Sequence, residues 1–504
     1  MLVDGTVLGA VVAAPALVAL GAFLARGRAV RALGRLGVLV AGAGFLTGVV
    51  LVLRLSADGD VVRVEGGVIS LAAERLSAML LLLVFGVSAV VQAFATRYLA
   101  GDRRAGWFIG GAGLLTAASA ALATAATLVA LALAWTLAGV ALCLLLGTYR
   151  HLPAARDGLR RTATAFVIGD AALWSAVALV TARWGQVRLD ELAAHSGGGL
   201  PAAVVAVLIV VAALSRSAQL PFHRWLPATL AAPTPVSALL HAGVVNAGGI
   251  LLIRLSPLST ADPAVALTLL AGAATMGYGA LLALVKPDVK GALAYSTMAQ
   301  MGFMMFTVGL GLWAAALIHL VAHGFYKATL FLSSGSAIAY RRRMAAAPPA
   351  SVPTGRRRAA ALWAVALSLA ALAVGVTVVP GVTDHGSGMA LLVFAGITGA
   401  AATWGWLMRR PTRAGVLTAA AVLTAAMCGY LGVVSVATTF LTPALPAETL
   451  PPGAVATVVA VAVLMLAGLA VLRRWQHGSG LHHALYAHAL SASHPTSTVK
   501  GTRP

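Results

Sequence analysis

The sequence has few charged residues and very few acidic ones. Only 10% of its 504 residues are charged, and 14 Asp and Glu stand against 35 Lys and Arg. Soluble domains carry about 25% charged residues, whereas this chain is 60% hydrophobic with a mean hydropathy of +0.94. The composition excludes an ordinary soluble protein and predicts an integral membrane protein.

Cysteine and nucleotide-binding patterns are also scarce. Cys143 and Cys428 lie far apart in apolar runs, which favours neither a disulfide framework nor a CxxC metal or redox site. No phosphate-binding glycine pattern follows a strand-like run. The first apolar run lacks preceding basic residues and a cleavage site, so we interpret it as a membrane span. We therefore expect no cofactor and no metal in this chain.

Apolar runs of about 20 residues, long enough to cross a bilayer, recur along the whole sequence. They predict an all-α polytopic fold with about fifteen transmembrane helices, within a range of 13 to 16. The runs are 7–25, 33–53, 76–95, 107–124, 126–147, 162–181, 202–220, 236–255, 264–285, 292–309, 313–338, 359–379, 389–408, 414–436 and 454–472.

The net charge of +21 is spread over alternate loops rather than gathered in one patch. Basic residues follow the odd-numbered runs except the seventh, at 26–35, 97–104, 150–161, 286–290, 341–358, 409–413 and 473–474. The positive-inside rule then predicts an N-terminus outside and a cytoplasmic C-terminus. The basic excess is explained by topology and by contact with anionic lipid, and nucleic-acid binding is not expected.

Two segments are predicted to lie outside the membrane. Residues 341–358 form a basic, proline-rich cytoplasmic linker. The tail, 473–504, contains five histidines (His477, His482, His483, His488 and His494) that could bind metal adventitiously. Because it lacks cysteine or acidic partners at fixed spacing, a flexible, solvated tail is favoured.

Ionisable residues and prolines occur together in the apolar stretch 215–249. Arg216, His223, Arg224 and His241 share it with four prolines, at 221, 227, 233 and 235. Ionisable groups in hydrocarbon are costly and mark ion or substrate routes, and proline interrupts helices. A broken helix at membrane depth is tolerated only where it is buried or lines a cavity. The stretch therefore predicts a broken helix on an ion pathway.

Asp170 is the one carboxylate well inside a continuous run. It can hold or pass a proton or neutralise a buried cation, or it can serve packing alone. Lys290 enters its run by about one turn. It either extends its ammonium to the interface or belongs to a chain of ionisable groups across the protein.

His319, His323 and Lys327 have i, i+4, i+8 spacing and therefore lie on one helix face. Imidazole titrates near neutral pH and a buried lysine can change its charge state, which suits a proton relay. Structural hydrogen bonding and metal binding are the alternatives. Leu320 stands where HExxH has its glutamate, so hydrolytic zinc chemistry lacks its base.

Four segments between 215 and 340 carry a family resemblance: SRSAQLPFHRWLP, APTPVSALLHA, DVKGALAYSTMAQMG and HLVAHGFYKATLFL. Together they resemble the antiporter-like subunits related to NADH-quinone oxidoreductase chain 5 and to multisubunit sodium/proton antiporters. The resemblance implies two inverted five-helix repeats, each with a broken helix, around a hydrated polar axis. We accordingly divide the chain into N-terminal helices (1–106), a first repeat (107–255), a second repeat with the linker (256–413), C-terminal helices (414–472) and the tail (473–504).

Three positions depart from the respiratory pattern that the resemblance implies. Thr136 stands where the respiratory subunits have the glutamate of a Trp-Glu pair, and Arg216 replaces a lysine. The lysine motif of the second broken helix is missing, which leaves Asp384 and His385 as weaker candidates there. These departures weaken the case for a redox-driven proton pump.

The segments HAGVVNAGG and HGFYKATLFLSSGS look instead like the DabB branch, the membrane subunits of inorganic carbon transporters. This resemblance implies a non-enzymatic subunit of the cell (inner) membrane that conducts protons or sodium down their gradient. Its partner would be a DabA-like zinc-containing subunit that hydrates carbon dioxide to bicarbonate. A respiratory pump subunit, a sodium/proton antiporter subunit and a structural anchor are the alternatives.

For the ion pathway, we predict eight residues, with Arg216 as the fixed charge partner of Asp170. They are Asp170, Arg216, His223, His241, Lys290, His319, His323 and Lys327.

Overall fold

A computed structural model describes residues 3–195, 202–345, 354–379, 381, 386–446 and 480–493, with isolated positions between 453 and 468. The chain divides into two compact units. The first comprises the described residues up to Gly309, His319–Ile338 and the described residues after 472. The second comprises Leu310–Ile318 and the described residues from Ala339 to 471.

The described chain is almost wholly helical, with one two-stranded hairpin. The elements are α1 (Gly5–Leu24), α2 (Arg28–Ala57), β1 (Val62–Val64), β2 (Leu71–Ala73), α3 (Arg75–Tyr98), α4 (Ala105–Thr124), α5 (Leu128–Leu146), α6 (Pro153–Trp184), α7 (Leu192–His195), α8 (Ala202–Arg216), α9 (Thr234–Ala242), α10 (Ala247–Arg254), α11 (Ser256–Ser259), α12 (Asp262–Val285), α13 (Val289–Gly309), α14 (Trp313–Leu332), α15 (Ser334–Ala345), α16 (Thr354–Val378), α17 (Gly386–Arg409), α18 (Arg413–Leu441) and α19 (Gly480–Ser493).

The predicted all-α polytopic membrane fold is confirmed, whereas the predicted number of about fifteen spans is not. Within the described residues, twelve helices are long and apolar enough to cross a membrane. The predicted span 202–220 is a shorter helix of 15 residues, because α8 ends at Arg216. The predicted span 292–309 forms α13 but is not among the twelve, and 454–472 lies largely outside the described residues.

Close helix contacts in the first unit depend on small residues. α12 packs against α13, α2 against α3, α1 against α4, and α6 against α8. A Cβ on Gly302 of α13 would lie 2.4 Å from the Met276 backbone nitrogen of α12, and one on Gly272 would lie 2.7 Å from that of Phe306. The α12–α13 backbones can approach this closely only because these positions have no side chain.

A short hairpin and the C-terminal end of α4 are stabilised by polar contacts that the sequence did not suggest. β1 and β2 pair antiparallel, with Val62 opposite Ala73. The buried Arg254 donates from Nη1 to the Leu122 and Ala123 carbonyls, at 2.9 and 2.5 Å, and from Nη2 to the Ala125 carbonyl at 2.7 Å. A guanidinium therefore satisfies the carbonyl groups that α4 leaves unpaired at its C-terminus.

The helix break after α8 is a complete C-terminal cap. The Gln219 N–H donates to the Leu214 carbonyl at 2.9 Å and the Ala218 N–H to the Ser215 carbonyl at 3.4 Å, which is the Schellman pattern. Ala218 occupies the left-handed region at φ 51°, where glycine is the usual residue. The predicted break therefore begins at Ser217, one residue after Arg216.

Other parts of the first unit satisfy the polar groups that the break releases. The Trp225 indole donates to the Ser215 carbonyl at 3.0 Å, and the Leu220 N–H donates to Thr275 Oγ1 at 2.9 Å. The Ser217 hydroxyl donates to the Val245 carbonyl at 2.7 Å. The interrupted backbone meets the requirement that polar groups at membrane depth be paired within the protein.

The second unit contains a three-helix packing of α16, α17 and α18. One apolar cluster is formed by Ala371, Leu392, Ala395, Met427 and Leu431. A second consists of Ala360, Leu407 and Ala419. Mutual burial of these apolar faces accounts for the association of the three helices.

One prediction about the tail is wrong where the structure describes it. Residues Gly480–Ser493 form α19, whereas we expected a flexible segment throughout 473–504. Two side chains of α12 and its C-terminal loop hold this helix: Tyr278 Oη lies 2.9 Å from His488 Nε2, and Lys286 Nζ donates to the Ala489 carbonyl at 3.3 Å. The sequence of this helix, GLHHALYAHALSAS, does not separate polar and apolar residues onto opposite faces, so its pattern did not predict a helix.

Candidate functional site

Asp170 and Arg216 form the predicted ion pair, in which the Arg216 side chain is buried and the Asp170 side chain is partly buried. Arg216 Nη2 donates to Asp170 Oδ1 at 2.8 Å, and Arg216 is only 1% exposed. The same oxygen accepts a 2.8 Å hydrogen bond from Trp135 Nε1 of α5. The pair links α6 to the C-terminal end of α8, and Trp135 of α5 packs beside it.

Two aromatic rings enclose the guanidinium. Its Cζ lies 4.3 Å from the centroid of the Trp135 ring and 4.2 Å from that of Phe166. Nη1 donates to the Trp135 carbonyl at 3.1 Å. Gly139 makes room, because a Cβ there would lie 2.9 Å from Nη2. The charge is thus held by one carboxylate and two π faces, in a fixed position.

Thr136 does not take part in this ion pair. Its hydroxyl accepts a 3.0 Å hydrogen bond from the Trp174 indole of α6. The carboxylate of the pair comes from Asp170 on α6, not from α5 at position 136. The expected loss of a carboxylate from α5 is therefore matched by a carboxylate on the adjacent helix.

The second cluster contains His241, His319, His323 and Lys327, which the structure brings together. His323 Nδ1 lies 2.6 Å from Gln300 Oε1, and its Nε2 lies 3.2 Å from the His241 carbonyl oxygen. The rings of His319 and His323 have centroids 5.8 Å apart. All four residues are at least 93% buried.

Lys327 and His323 each contact a polar residue of α13. Lys327 is fully buried, and its Nζ donates to Ser296 Oγ at 2.9 Å. Ser296 and Gln300 have i, i+4 spacing, which matches the i, i+4 spacing of His323 and Lys327 on α14. The two helices therefore share a polar seam. Ser296 and Gln300 lie in a segment that carries the family resemblance, but neither is ionisable, so the sequence did not mark them as pathway residues.

Two predicted pathway residues join neither cluster through the contacts of the described residues. Lys290 is half-buried and donates to the Ala232 carbonyl at 3.1 Å. His223 is edge-on to Tyr278, with ring centroids 4.9 Å apart. Asp384 and His385 lie outside the described residues.

A cavity of about 60 Å³ lies against Arg216. Its walls are mainly apolar, with Ser88, Thr116 and Ser119 as the polar exceptions beside Arg216, and Gly243 and Val244 after α9 also line it. The Ser88 and Thr116 hydroxyls are 2.6 Å apart. This volume is enough for several water molecules.

Apolar helices with one helix broken beside buried, paired ionisable groups are typical of antiporter-like membrane subunits. The model of the family "NADH:quinone oxidoreductase/Mrp antiporter, TM" matches residues 125–408, and that of "NADH-Ubiquinone oxidoreductase (complex I), chain 5 N-terminus" matches residues 68–109. The chain belongs to the NADH:quinone oxidoreductase/Mrp antiporter transmembrane family, which confirms the resemblance.

Curated relatives come from two branches of this family. The chain is 36% identical over 283 residues to "Probable inorganic carbon transporter subunit DabB1" of Halothiobacillus neapolitanus, covering 54% of this chain and 51% of that protein. It is 35% identical over 275 residues to "NADH-quinone oxidoreductase subunit L" of Mycobacterium tuberculosis (strain ATCC 25618 / H37Rv), covering 53% and 43%. The chain spans about half the length of the curated relatives it matches.

Solved structures share the fold over nearly the whole chain. A chain of the Mrp complex from Dietzia sp. DQ12-45-1b is 26% identical with a TM-score of 0.59, covering 95% of this chain and 59% of that one. A chain of respiratory complex I from Thermus thermophilus has a TM-score of 0.56 at 22% identity, covering 97% of this chain and 100% of that one, which is a likeness of fold.

Proposed function

We propose that this protein is the membrane subunit of an energy-coupled inorganic carbon accumulation complex. In this proposal, it conducts protons or sodium ions down their gradient, and a DabA-like zinc-containing partner uses the released energy to hydrate carbon dioxide to bicarbonate. Its N-terminus lies outside and its C-terminus in the cytoplasm. The similarity to subunits named DabB supports the choice of branch.

The observation that carries ion conduction is the buried polar seam between α13 and α14. Lys327 contacts Ser296, His323 contacts Gln300, and the His319 ring is adjacent to that of His323. A buried lysine and two buried imidazoles are costly as structural elements alone. Proton exchange explains why groups that can gain and lose protons occupy this face.

His323 has different partners on its two ring nitrogens. The His241 carbonyl near Nε2 can only accept, and in this proposal Nε2 carries its hydrogen in both states. Proton gain and loss therefore occur at Nδ1, which faces the Gln300 amide. In neutral His323, Nδ1 accepts from the Gln300 amide nitrogen; after protonation, it donates to Oε1. Rotation of one amide by about 180° satisfies both states.

Asp170 and Arg216 act as the charge-sensing pair in this proposal. Arg216 keeps its proton, so it responds to the seam electrostatically rather than by proton transfer. A change in the charge state of the seam then alters the Asp170–Arg216 contact, and the packed helices pass that change to the partner.

The second candidate is a subunit of a proton-pumping NADH-quinone oxidoreductase or of a multisubunit sodium/proton antiporter. The identity to NADH-quinone oxidoreductase subunit L favours it, as does the fold of the Mrp complex. Thr136 in place of the glutamate that the resemblance implies counts against it.

The test is growth of a carbonic-anhydrase-deficient host at ambient carbon dioxide. Co-expression of the chain with a DabA-like subunit from the same source should restore growth, and neither subunit alone should do so. His323→Ala and Lys327→Ala should abolish growth, whereas His151→Ala, at an exposed histidine, should not. Restored sodium tolerance in an antiporter-deficient host, with no carbon phenotype, would instead support the second candidate.

A further inference from the structure

An open pocket of about 400 Å³ lies between α6 and the segment that follows the helix break. Three guanidinium groups line it, those of Arg160, Arg161 and Arg224. Apolar side chains, including Ile168, Phe222 and Trp225, form the rest of the wall. The pocket therefore combines clustered positive charge with a hydrophobic surface.

Two of the three guanidinium groups share one carboxylate. Asp157 lies 3.3 Å from Arg160 Nη2 and 2.8 Å from Arg161 Nη2. Among these four residues of the described part of the chain, three guanidinium groups and one carboxylate have a formal charge of +2 (3 − 1). Guanidinium groups bind phosphate through two parallel N–H donors, so a monoanionic phosphodiester suits this site.

The apolar part of the pocket continues along the outer face of α6. Val167 and Ile168, about two turns beyond Arg160 and Arg161, are 67% and 45% exposed. Both lie within an apolar helix of membrane-spanning length, so the lipid phase is their natural surrounding. A ligand that presents an anion to the arginines and hydrocarbon to Ile168 matches both parts of the pocket.

We propose that this pocket binds the headgroup of an anionic phospholipid, with an acyl chain against Val167 and Ile168. Free phosphate shares the headgroup chemistry but has no hydrocarbon to pack against Val167 and Ile168. Trp225 separates the bound lipid from the ion pair, because its indole is bonded to the Ser215 carbonyl and its ring meets Phe166 at 5.1 Å. The lipid therefore borders one wall of the Arg216 site.

The test uses the delipidated full chain in dodecyl maltoside, with bound species counted by native mass spectrometry. Dioleoyl phosphatidylglycerol, dioleoyl phosphatidylcholine and sodium phosphate are titrated separately. The variants are Arg224→Gln, Arg160→Gln and Ile168→Ser. Arg183→Gln, at the exposed C-terminal end of the same helix, is the matched control, and gel filtration checks that every variant remains folded.

We expect saturable binding of phosphatidylglycerol in preference to phosphatidylcholine. Each arginine variant should weaken it about fivefold, because a basic residue near a membrane surface contributes about 1 kcal/mol. Ile168→Ser should weaken phosphatidylglycerol binding but leave phosphate binding unchanged, and Arg183→Gln should change neither. Equal binding of the two lipids, full displacement by equimolar phosphate, or insensitivity to both arginine variants would overturn the proposal.

Discussion

Replacement of Asp170 by alanine should destabilise the protein strongly, because it leaves the Arg216 guanidinium buried without its anion. Asp170 Oδ1 accepts two hydrogen bonds of 2.8 Å, from Arg216 and from Trp135. Hydrogen bonds to charged groups contribute about 1.5–3 kcal/mol each, and loss of one partner of a buried ion pair costs about 3–5 kcal/mol. We therefore expect the free energy of unfolding to fall by about 3–5 kcal/mol.

The assay is equilibrium unfolding in mixed SDS and dodecyl maltoside micelles, followed by circular dichroism. Asp170→Asn keeps the acceptor oxygen and should cost about half as much. The control is Asp190→Ala, which removes two surface contacts, one of 2.9 Å to Arg63 and one of 3.2 Å to Arg188, from a side chain that is 46% exposed. That loss should be below about 1 kcal/mol.

A double variant separates charge from packing. Asp170→Leu with Arg216→Met removes both charges together, so it should be more stable than Asp170→Leu alone. If Asp170→Ala costs no more than Asp190→Ala, or if the double variant is additive, the pair is not the buried, mutually dependent contact described above.

Three further predictions concern residues to which sequence reasoning gave no role. Gln300→Leu removes both partners of His323 Nδ1 and Gln300→Glu removes the amide donor, so both should slow carbon-dependent growth at least about tenfold, whereas the exposed control His151→Ala should not. Ala218→Val should destabilise by more than about 2 kcal/mol because β-branched residues fit the left-handed region poorly, and Ala218→Gly should change stability by less than about 1 kcal/mol in the same micelle assay. Arg254→Met removes three hydrogen bonds to the end of α4 and should lower the free energy of unfolding by about 3 kcal/mol. Arg254→Lys should recover less than half of that loss, because an ammonium lacks the forked geometry of a guanidinium. An equal effect of the Lys and Met variants would show that the loss comes from packing and not from hydrogen bonding.

The membrane spans and the ion pair were predictable because hydrocarbon makes their signals strong. An apolar run of about 20 residues has few other interpretations, and a carboxylate within one requires a partner. Arg216, at the predicted helix break, was the natural partner for Asp170, and the 2.8 Å contact confirms that inference.

The surroundings of these groups were not predictable for the same physical reason. Phe166 is an apolar residue in an apolar span and looks like any other core aromatic, and the resemblance to a Trp-Glu pair at 135–136 does not indicate that Trp135 contacts Arg216. Gln300 and Ser296 are uncharged, so burying them costs less than burying a charge and their presence in a span does not point to a function. α19 was missed because its contact with Tyr278 joins residues 210 positions apart. Tertiary proximity, rather than local pattern, selects these residues.

The break after α8 has an electrostatic consequence as well as a geometric one. Arg216 is the last residue of a helix whose carbonyl end points into the protein, and a helix C-terminus carries about half a negative charge. Had the helix continued, that partial charge would have been delivered at the membrane surface. Interrupting it brings a weak second counterion to the guanidinium, one that neither titrates nor moves. The guanidinium therefore has a fixed partial negative charge beside it in addition to the Asp170 carboxylate.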